Sequence, residues 1–355
     1  MASCRPPPPY SCAASWDYNR RRIGKRTLFR RCPFLVILLG MVAIDYFVQQ
    51  LINGATIGCI YALVAMGYTL VHGITGQINL AHGDIFMIGA FGATIAVIGL
   101  GILGIGAAPW VLPTALVAAI AFNMVYGWSV NRMIYRPLRV APGYSAIVAT
   151  LGFAIFLREY VRLLHGARSL WLEQTLKGGL EWSQHGDFAV FLGYTEIFIF
   201  LLTAVALTVS WFVVERTRVG RAGRAIAQDA TMATLLGIDA VRTSAAVFVL
   251  TASLAAVAGL MVSVHYGVID FFMGFVFGLK ALTAAIIGGI GSLPGAVVGG
   301  LLIGLLETMW SAYFQMIYRD VVVFGILIAA LVFRPDGLFG RPHAERAPGP
   351  GQPRH

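Results

Sequence analysis

Long apolar runs separated by short polar breaks make up most of this sequence. At about 20 residues per membrane crossing, the candidate spans are residues 50–72, 84–106, 109–131, 143–164, 192–214, 243–266, 279–292, 295–313 and 320–334. The 279–292 run is short for a crossing, and Gly288, Gly289, Gly291 and Pro294 interrupt it. The pattern predicts an all-α polytopic membrane protein of about 8–10 transmembrane helices with broken or re-entrant segments.

The composition supports a membrane protein. Hydrophobic residues make up 58% of the 355 residues and charged residues only 12%, whereas soluble domains are about 25% charged. The formal net charge of +10 is spread over short segments between the apolar runs, which argues against nucleic-acid binding. The four cysteines have neither metal-site nor redox spacing, so we expect no disulfide framework.

The polar N-terminal segment is open to three interpretations. Residues 1–33 contain a PPPP run and eight basic residues against one acid, Asp17. Such a segment is typical of disorder, or of a signal peptide, although no small-residue cleavage site follows. The third interpretation, which we favour, is that Met41 is the natural start. If the extension is instead part of the protein, residues 34–48 add a short span. We divide the chain into a basic, proline-containing extension (1–40), a membrane domain (41–341) and a polar tail (342–355).

The arginines indicate the orientation in the membrane. Loop 132–142 has three arginines and no acid, and loop 215–242 has five arginines against three acids. Loop 165–191 has two basic residues against three acids. Alternating spans place the two arginine-rich loops and the C-terminal tail on one side, with 165–191 opposite. Because cytoplasmic loops carry an excess of Lys and Arg, we expect the C-terminus to be cytoplasmic.

The sequence offers little that resembles a catalytic site. No G-x4-G-K-[ST], H-E-x-x-H or G-x-S-x-G motif occurs. His82 and Asp84 could suggest a metal or hydrolytic site, but His72 is the only further ligand nearby. We therefore expect no catalytic residue and no metal site. The segment that contains them, HGITGQINLAHGD at 72–84, is expected to be an irregular break whose polar groups form turns or line a pathway.

Polar residues inside apolar runs are candidates for a translocation pathway. These candidates are Asn53, Thr56, Asn79, His82 and Glu307. Glu307 is the strongest of these candidates, because a carboxylate within a membrane span is costly unless it faces a helix interface or an aqueous cavity. Structural hydrogen bonding and a pathway role both remain open for it. Arg158 and Glu159, late in a span, are interpreted as marking its interfacial end.

Small residues in the last third of the chain predict close helix packing. The spacings Gly295-x3-Gly299 and Gly300-x3-Gly304 allow two helix backbones to approach each other. Packing within one chain is favoured over assembly with a second chain.

The segment 215–242 is basic, amphipathic and helix-prone, and it lies between two long apolar runs. We predict a short helix over 221–237 with a face of small residues, ended by Gly237. Two interpretations are open. Such a helix could insert into the groove of a partner protein, or it could rest on lipid headgroups.

Four blocks of the sequence resemble one family. Thr231-Met232-Ala233-x3-Gly237 resembles the coupling-loop motif of ABC importer permeases, commonly Glu-Ala-Ala-x3-Gly, from which Thr231 and Met232 depart. The surrounding RAIAQDATMATLLGID is similar to the loop of LivH-type permeases of branched-chain amino-acid importers. Three further blocks agree: QQLINGATIGCIYALVAMGYTLVHGITGQINLAHGDIFMIGAF (49–91), GLKALTAAIIGGIGSLPGAVVGGLLIGLLE (278–307) and DVVVFGILIAALVFRPDGLFG (320–340).

The resemblance implies a bacterial inner-membrane permease subunit that is not itself an enzyme. It implies ABC ATPase subunits that use ATP and Mg, a homologous LivM-like second permease, a periplasmic solute-binding protein and surrounding lipid, with no cofactor in this chain. Coupling to the ATPases would use Arg224, Gln228, Asp229, Ala233, Leu236 and Gly237. Related permeases carry branched-chain amino acids, other amino acids, urea or short amides.

Two other functions remain open. An ATP-independent secondary transporter or facilitator for a small polar solute would use Glu307 or Asp84 as a proton carrier, but it leaves 221–237 unexplained. A membrane-embedded enzyme would need a cluster of acids, bases or metal ligands that the sequence lacks.

Overall fold

A computed structural model describes residues 32–104, 110–140, 143–173, 176, 178–185 and 188–340. Most of the predicted extension, up to residue 31, and the polar tail, 342–355, lie outside the described residues. Within the described ranges, the α-helices are α1 Cys32–Thr75, α2 His82–Ile102, α3 Val111–Val130, α4 Gly143–His165, α5 Tyr194–Arg216, α6 Arg218–Gln228, α7 Ala230–Leu235, α8 Ala240–Tyr266, α9 Met273–Gly288, α10 Leu293–Tyr313 and α11 Arg319–Phe333.

The short elements lie between these helices. A π-helical turn, Asn131–Tyr135, continues α3, and 3₁₀ turns lie at Pro137–Val140 and Met316–Tyr318. The strands are β1 Leu170–Trp171, β2 Gly179–His185, β3 Phe188–Gly193 and β4 Val268–Ile269. β1 pairs antiparallel with β4, and β2 pairs with β3. The sequence pattern did not predict these strands. β1 and β4 have only two residues each, and β2 and β3 lie in a segment that was interpreted as a loop between spans.

The helices confirm a polytopic membrane fold. Seven of the described helical stretches are long and apolar enough to cross a membrane: Ile44–Thr75, His82–Ile102, Val111–Tyr135, Tyr194–Arg216, Ala240–Tyr266, Leu293–Tyr313 and Met316–Phe333. Two more helices correspond to predicted spans: α4, which carries three charged residues, and α9, which has only 16 residues. α9 ends at Gly288, so the short and interrupted run at 279–292 is confirmed.

The chain divides into two compact units. The described residues up to Gln49 and the segment Glu181–Phe191 form a small unit, in which the Phe191 amide donates to Gln49 Oε1 at 2.9 Å. The predicted short span 34–48 is the first part of α1. The rest of the described chain forms the larger unit, and every site discussed below lies within it.

The core of the larger unit is built where α2, α3 and α8 pack closely. A Cβ at Gly89 of α2 would lie 2.7 Å from Ala256 Cα of α8. Asn123 of α3 donates its side-chain amide to the Ala252 carbonyl of α8 at 2.9 Å, which satisfies a polar group in an apolar setting. Small residues therefore let the backbones approach closely enough for a side chain of one helix to bind the main chain of the next.

The predicted small-residue spacings in α10 are used within this chain. A Cβ at Gly58 of α1 would lie 2.8 Å from Leu301 Cα of α10, and one at Gly304 would collide with the Gly58 backbone. On another side of α10, Gly295 and Gly299 contact the backbone of α9. The prediction of close helix approach within one chain is confirmed.

The expected break between the first two spans is present. α1 ends at Thr75, Gly76 has φ +67°, and α2 begins only at His82. The break is held by side chains, because the Leu80 amide donates to Thr150 Oγ1 of α4 at 3.4 Å. The irregular backbone thus lies against protein, which is the condition for its survival within a membrane domain.

Candidate coupling surface and buried polar sites

The predicted single helix over 221–237 is in fact two helices. Asp229 lies between α6 and α7 with an extended backbone, and its carboxylate accepts hydrogen bonds from the amides of Thr231 (2.8 Å) and Met232 (2.9 Å). The aspartate is therefore the N-cap of α7, a position that its short acidic side chain favours. We call α6, α7 and the turn up to Gly237 the α6–α7 segment.

The inner face of the α6–α7 segment anchors it to the helix bundle. Ile226 and Ala233 form a small buried cluster with Ala240 of α8, and Ile74 at the end of α1 packs against it. Ala233 is only 3% exposed. Ala233 therefore packs inward, against the helix bundle, and its predicted place in the contact set stays a prediction.

Arg224 also anchors the segment. Its guanidinium donates to the carbonyls of Val214 and Glu215 at the end of α5, and it lies 3.5 Å from the Glu215 carboxylate. The last carbonyls of a helix have no partner within the helix, so an arginine side chain at this position satisfies them. The predicted docking role of Arg224 stays a prediction, and the structure adds an intramolecular role.

The outer face of the segment is exposed and partly apolar. Gln228, Asp229 and Gly237 are exposed, as predicted residues of a contact surface should be. Leu236 is 83% exposed and its neighbour Leu235 76%. Leu235 lies within the predicted helix 221–237 but was not among the predicted contact residues. Two adjacent leucines in a polar segment were the signal that could have indicated it.

Gly237 closes the segment. Its φ of +85° is unfavourable for residues with a Cβ, and its amide donates to the Thr234 carbonyl at 3.0 Å while the Ile238 amide donates to the Ala233 carbonyl. This is the expected glycine helix stop. No heavy atom lies within 4 Å of a Cβ built at Gly237, so the position is open on its outer side.

Glu307 belongs to a buried network of charges that joins four helices. One carboxylate oxygen lies 2.8 Å from Lys280 Nζ of α9 and 3.1 Å from Arg319 Nε of α11; the other accepts a hydrogen bond from the Tyr61 hydroxyl of α1 at 2.8 Å. Lys280 also binds Asp320 of α11 at 2.7 Å. Two cations thus face two carboxylates, and this satisfies the groups that are withdrawn from solvent.

The network favours the structural interpretation of Glu307. Its side chain is 5% exposed and that of Lys280 3%. Lys280 was missed by the sequence analysis, although a single lysine in an apolar run was a usable signal. Its pairing could not be read from the sequence, since nothing there states which faces of α9 and α10 meet.

Asp84 forms an ion pair with Arg158. Its carboxylate lies 3.3 Å from the Arg158 guanidinium of α4, which also lies over the rings of Phe272 and Phe275 at 5.1 and 5.0 Å. Within the described residues, no group of three or more His, Cys, Asp or Glu side chains could hold a metal ion. Arg158 does not simply mark an interfacial helix end, because it is 14% exposed and turned toward α2.

The other predicted pathway residues lie at separate positions in α1, in the break after it and at the start of α2. Thr56 donates to the Ile52 carbonyl within its own helix, and Asn53 lies half-buried one turn from the start of the larger unit. Asn79 accepts a hydrogen bond from the Ala81 amide, and His82 is buried edge-on to the Tyr68 ring at 4.9 Å. Their role in solute passage stays a prediction.

Sequence comparison identifies the family. The family described as "branched-chain amino acid transport system / permease component" matches residues 50–331, more than half of the chain. The chain belongs to this permease family. It is 41% identical over 301 residues to the Escherichia coli K12 high-affinity branched-chain amino acid transport system permease protein LivH, covering 85% of this chain and 98% of that protein.

Two further permeases are similar. The Pseudomonas aeruginosa permease protein BraD is 41% identical over 306 residues, covering 86% of this chain and all of BraD. The Escherichia coli permease protein LivM is 27% identical over 334 residues, covering 86% of this chain and 74% of LivM. The resemblance to LivH-type permeases is confirmed, and the chain is a multi-pass membrane permease subunit of the ABC transporter class.

Proposed function

We propose that this chain is the permease subunit of an ATP-driven, binding-protein-dependent ABC importer for branched-chain amino acids. The observation that carries the proposal is the identity of 41% with LivH over 98% of that protein's length. The arginine-rich loops support a place in the bacterial inner membrane with a cytoplasmic C-terminus. The exposed α6–α7 segment, which a facilitator would not need, supports coupling to ATPase subunits.

The proposed partners follow from the surfaces of the chain and from its relatives. ABC ATPase subunits bind the exposed face of the α6–α7 segment and use ATP and Mg; this chain carries no cofactor of its own. A LivM-like permease completes the pathway, in keeping with the similarity of this chain to LivM itself. A periplasmic solute-binding protein delivers the amino acid, so the permease does not need a tight solute site.

Motion passes from the ATPases to the membrane helices through the α6–α7 segment. Gln228, Asp229 and Leu236 contact the ATPase, and Gly237 gives the turn its shape. Arg224 then passes the displacement to the end of α5. Only contacts that differ in strength between the outward- and inward-facing states transmit this work. Residues of the predicted pathway, with Glu307 among them, line the route or hold its helices in place.

The test is co-purification of the tagged chain with ATPase subunits expressed from neighbouring genes. The variant is Leu235→Ser with Leu236→Ser. The matched control is Leu163→Ser with Leu164→Ser, a second exposed leucine pair, 82% and 61% exposed at the end of α4. Loss of two buried leucine contacts weakens ATPase association by about 3 kcal/mol, roughly a hundredfold, because apolar burial drives docking.

Uptake of leucine into proteoliposomes gives the second readout. In the wild type and in the control, we expect leucine uptake that requires ATP and the solute-binding protein. In the Leu235 and Leu236 variant, we expect no uptake. Uptake by the chain alone, without ATPase subunits, would show a facilitator instead.

A further inference from the structure

The chain that follows α11 turns toward the end of α9. α11 ends at Phe333, before Pro335, since the residue that precedes a proline disfavours a helical backbone. The Gly337 amide then donates to the Arg334 carbonyl at 3.0 Å and closes a β-turn. Proline in the second place and glycine in the fourth are residues that such turns favour. We call residues 334–340 the strap.

The strap supplies hydrogen-bond donors to the end of α9. The last four carbonyls of a helix have no partner within the helix. In α9, the Gly289 amide donates to the first two of them. The Leu338 amide donates to the Ile287 carbonyl at 2.8 Å. The Phe339 amide donates to the Gly288 carbonyl at 3.0 Å. A segment from beyond α11 therefore caps α9.

Two glycines let the strap and the end of α9 meet backbone to backbone. Gly337 has φ +77° and Gly289 has φ +103°, which are unfavourable for residues with a Cβ. A Cβ at Gly337 would lie 2.6 Å from Gly289 Cα and 2.7 Å from the Ile286 carbonyl oxygen. A Cβ at Gly289 would lie 2.8 Å from Gly340 Cα. The strap therefore fits against α9 only with glycine at both positions.

The strap is the second attachment between α9 and α11. Lys280 Nζ of α9 also lies 2.7 Å from the Asp320 carboxylate in the first turn of α11. Ile287, which the strap binds, lies two helical turns beyond Lys280, about 10 Å at 1.5 Å per residue. An ion pair joins two helices at one point, about which they can pivot. The strap, with two hydrogen bonds and a glycine pair, fixes their relative orientation.

The contact of α9 with α2 is of a different kind. A Cβ at Gly83 of α2 would lie 2.8 Å from Gly278 Cα of α9, and one at Gly274 would lie 2.8 Å from the Gly83 carbonyl oxygen. Among the described residues, no hydrogen bond or ion pair joins the two helices. Packed helices without polar ties can slide along each other, which is the shear motion of many conformational changes. α9 is thus tied to α11 and only packed against α2.

We propose that the strap is a clamp that makes α9 and α11 move as one body when the permease changes between its outward- and inward-facing states. The unit slides along α2, where only packing contacts are remade. Without the strap, α9 pivots about the ion pair of Lys280, and its movement no longer follows that of α11. ATP is then hydrolysed with less solute moved in each cycle. The inference rests on the proposed function for this consequence.

Two variants of the strap are tested, each with a matched control. Gly337→Ala drives a methyl group into the Gly289 backbone and lifts the strap from α9. Its control is Gly291→Ala, because Gly291 has φ +96° but no heavy atom within 4 Å of a Cβ built there. The control therefore brings backbone strain without a collision. Truncation after Arg334 removes the strap, whereas truncation after Gly340 keeps it.

The structural readout is the distance between two spin labels on the detergent-solubilised chain. In a cysteine-free background, the labels are attached to Pro294→Cys and Phe333→Cys. Pro294 is exposed at the start of α10, which a short turn joins to the end of α9, and Phe333 is exposed at the end of α11. We expect one narrow distance distribution in wild type and in Gly291→Ala, and a broader one in Gly337→Ala. An equally narrow distribution in Gly337→Ala would overturn the inference.

The functional readout is the leucine taken up per ATP hydrolysed. It is measured in proteoliposomes that contain the complex of this chain with its permease and ATPase partners, with the solute-binding protein added. We expect Gly337→Ala and truncation after Arg334 to lower this ratio at least about fivefold, the smallest effect typical of a lost coupling. Both controls retain the wild-type ratio. ATPase association is retained in all variants, because the α6–α7 segment is unaltered.

The outcomes are distinguishable from failure of the proposed function. If both strap variants keep the wild-type uptake per ATP, the inference is wrong while the function stands. If the controls lose as much coupling as the strap variants, the loss comes from backbone strain or from the tail, and the inference is again wrong. If no ATPase associates with wild type, the proposed function fails, and the spin-label distances still decide whether the strap holds α9 to α11.

Discussion

The buried charges of α9 and α10 depend on each other at the level of single residues. Lys280 and Glu307 lie 2.8 Å apart with almost no exposed side-chain surface. Removing one partner of such a pair leaves an uncompensated charge, whereas removing both leaves a neutral site. Arg319 and Asp320 would still face each other at 3.5 Å after both changes, so the network stays balanced.

We therefore expect Lys280→Met alone to destabilise the folded chain by about 3–5 kcal/mol. The double variant Lys280→Met with Glu307→Leu recovers most of that loss. Denaturant unfolding in detergent measures both. Leucine uptake then separates the two interpretations of Glu307: uptake persists in the double variant if the carboxylate is structural, and disappears from a stably folded protein if the carboxylate serves the pathway.

Two arginines of α4 provide a matched comparison. Arg158 is 14% exposed and binds Asp84, whereas Arg162 is 48% exposed and binds Glu159 one turn away. We expect Arg158→Gln to cost about 3 kcal/mol of unfolding free energy, because it strands the buried Asp84 carboxylate. Arg162→Gln changes it by no more than about 0.5 kcal/mol, since exposed ion pairs contribute little. Equal effects in thermal unfolding would contradict this account.

At the scale of elements, the glycines of α1 and α10 let two helix backbones touch. Gly304→Ala places a methyl group against the Gly58 backbone, and overpacking of this kind costs about 1–3 kcal/mol. Gly325→Ala on α11 is the control, because no heavy atom lies within 4 Å of a Cβ built there. We expect Gly304→Ala to lower the unfolding temperature and Gly325→Ala to leave it unchanged.

The helices were readable from the sequence because each apolar run is long and uniform. The positions at which one helix ends and the next begins were harder to predict from the sequence. Asp229 divides the α6–α7 segment, and an aspartate is compatible with either a helix interior or an N-cap until its hydrogen bonds are known. The glycine spacing of α10 predicted close packing but not that α1 was its partner.

The candidate sites were only partly readable, for a different reason. Leu236 and Gly237 lie within the local motif at 231–237, and Gln228 lies in the surrounding block; all three are exposed, and their contact role stays a prediction. Asp84 and Arg158 are 74 residues apart, and their pairing depends on how α2 lies beside α4. Contacts between distant helices have no local signal in a single sequence.

At the scale of the whole molecule, the number of membrane spans between two exposed leucines determines whether they lie on the same side of the membrane. Leu163 lies at the end of α4 and Leu236 lies after α5, so a single span, Tyr194–Arg216, separates them. We therefore expect them to lie on opposite sides of the membrane, with Leu236 on the cytoplasmic side that we propose from the positive-inside rule.

Single cysteines introduced into a cysteine-free background test this arrangement. We expect Leu236→Cys to react with a membrane-impermeant maleimide only in inverted vesicles, and Leu163→Cys to react only in intact spheroplasts. Labelling of both positions from one side would overturn the assigned topology.

The ion pair between α2 and α4 also has a consequence for how the chain is made. An arginine in the middle of a nascent span costs the insertion machinery about 2.5–3.5 kcal/mol, and α4 carries Arg158, Glu159 and Arg162. Since α2 leaves the ribosome first, Asp84 is already in the bilayer when Arg158 arrives. In a chain truncated just after α4, we expect Asp84→Leu to lower the fraction of α4 that resists alkaline extraction, whereas Asp84→Glu retains it. We thus expect the entry of the fourth helix into the bilayer to depend on a carboxylate synthesised 74 residues earlier.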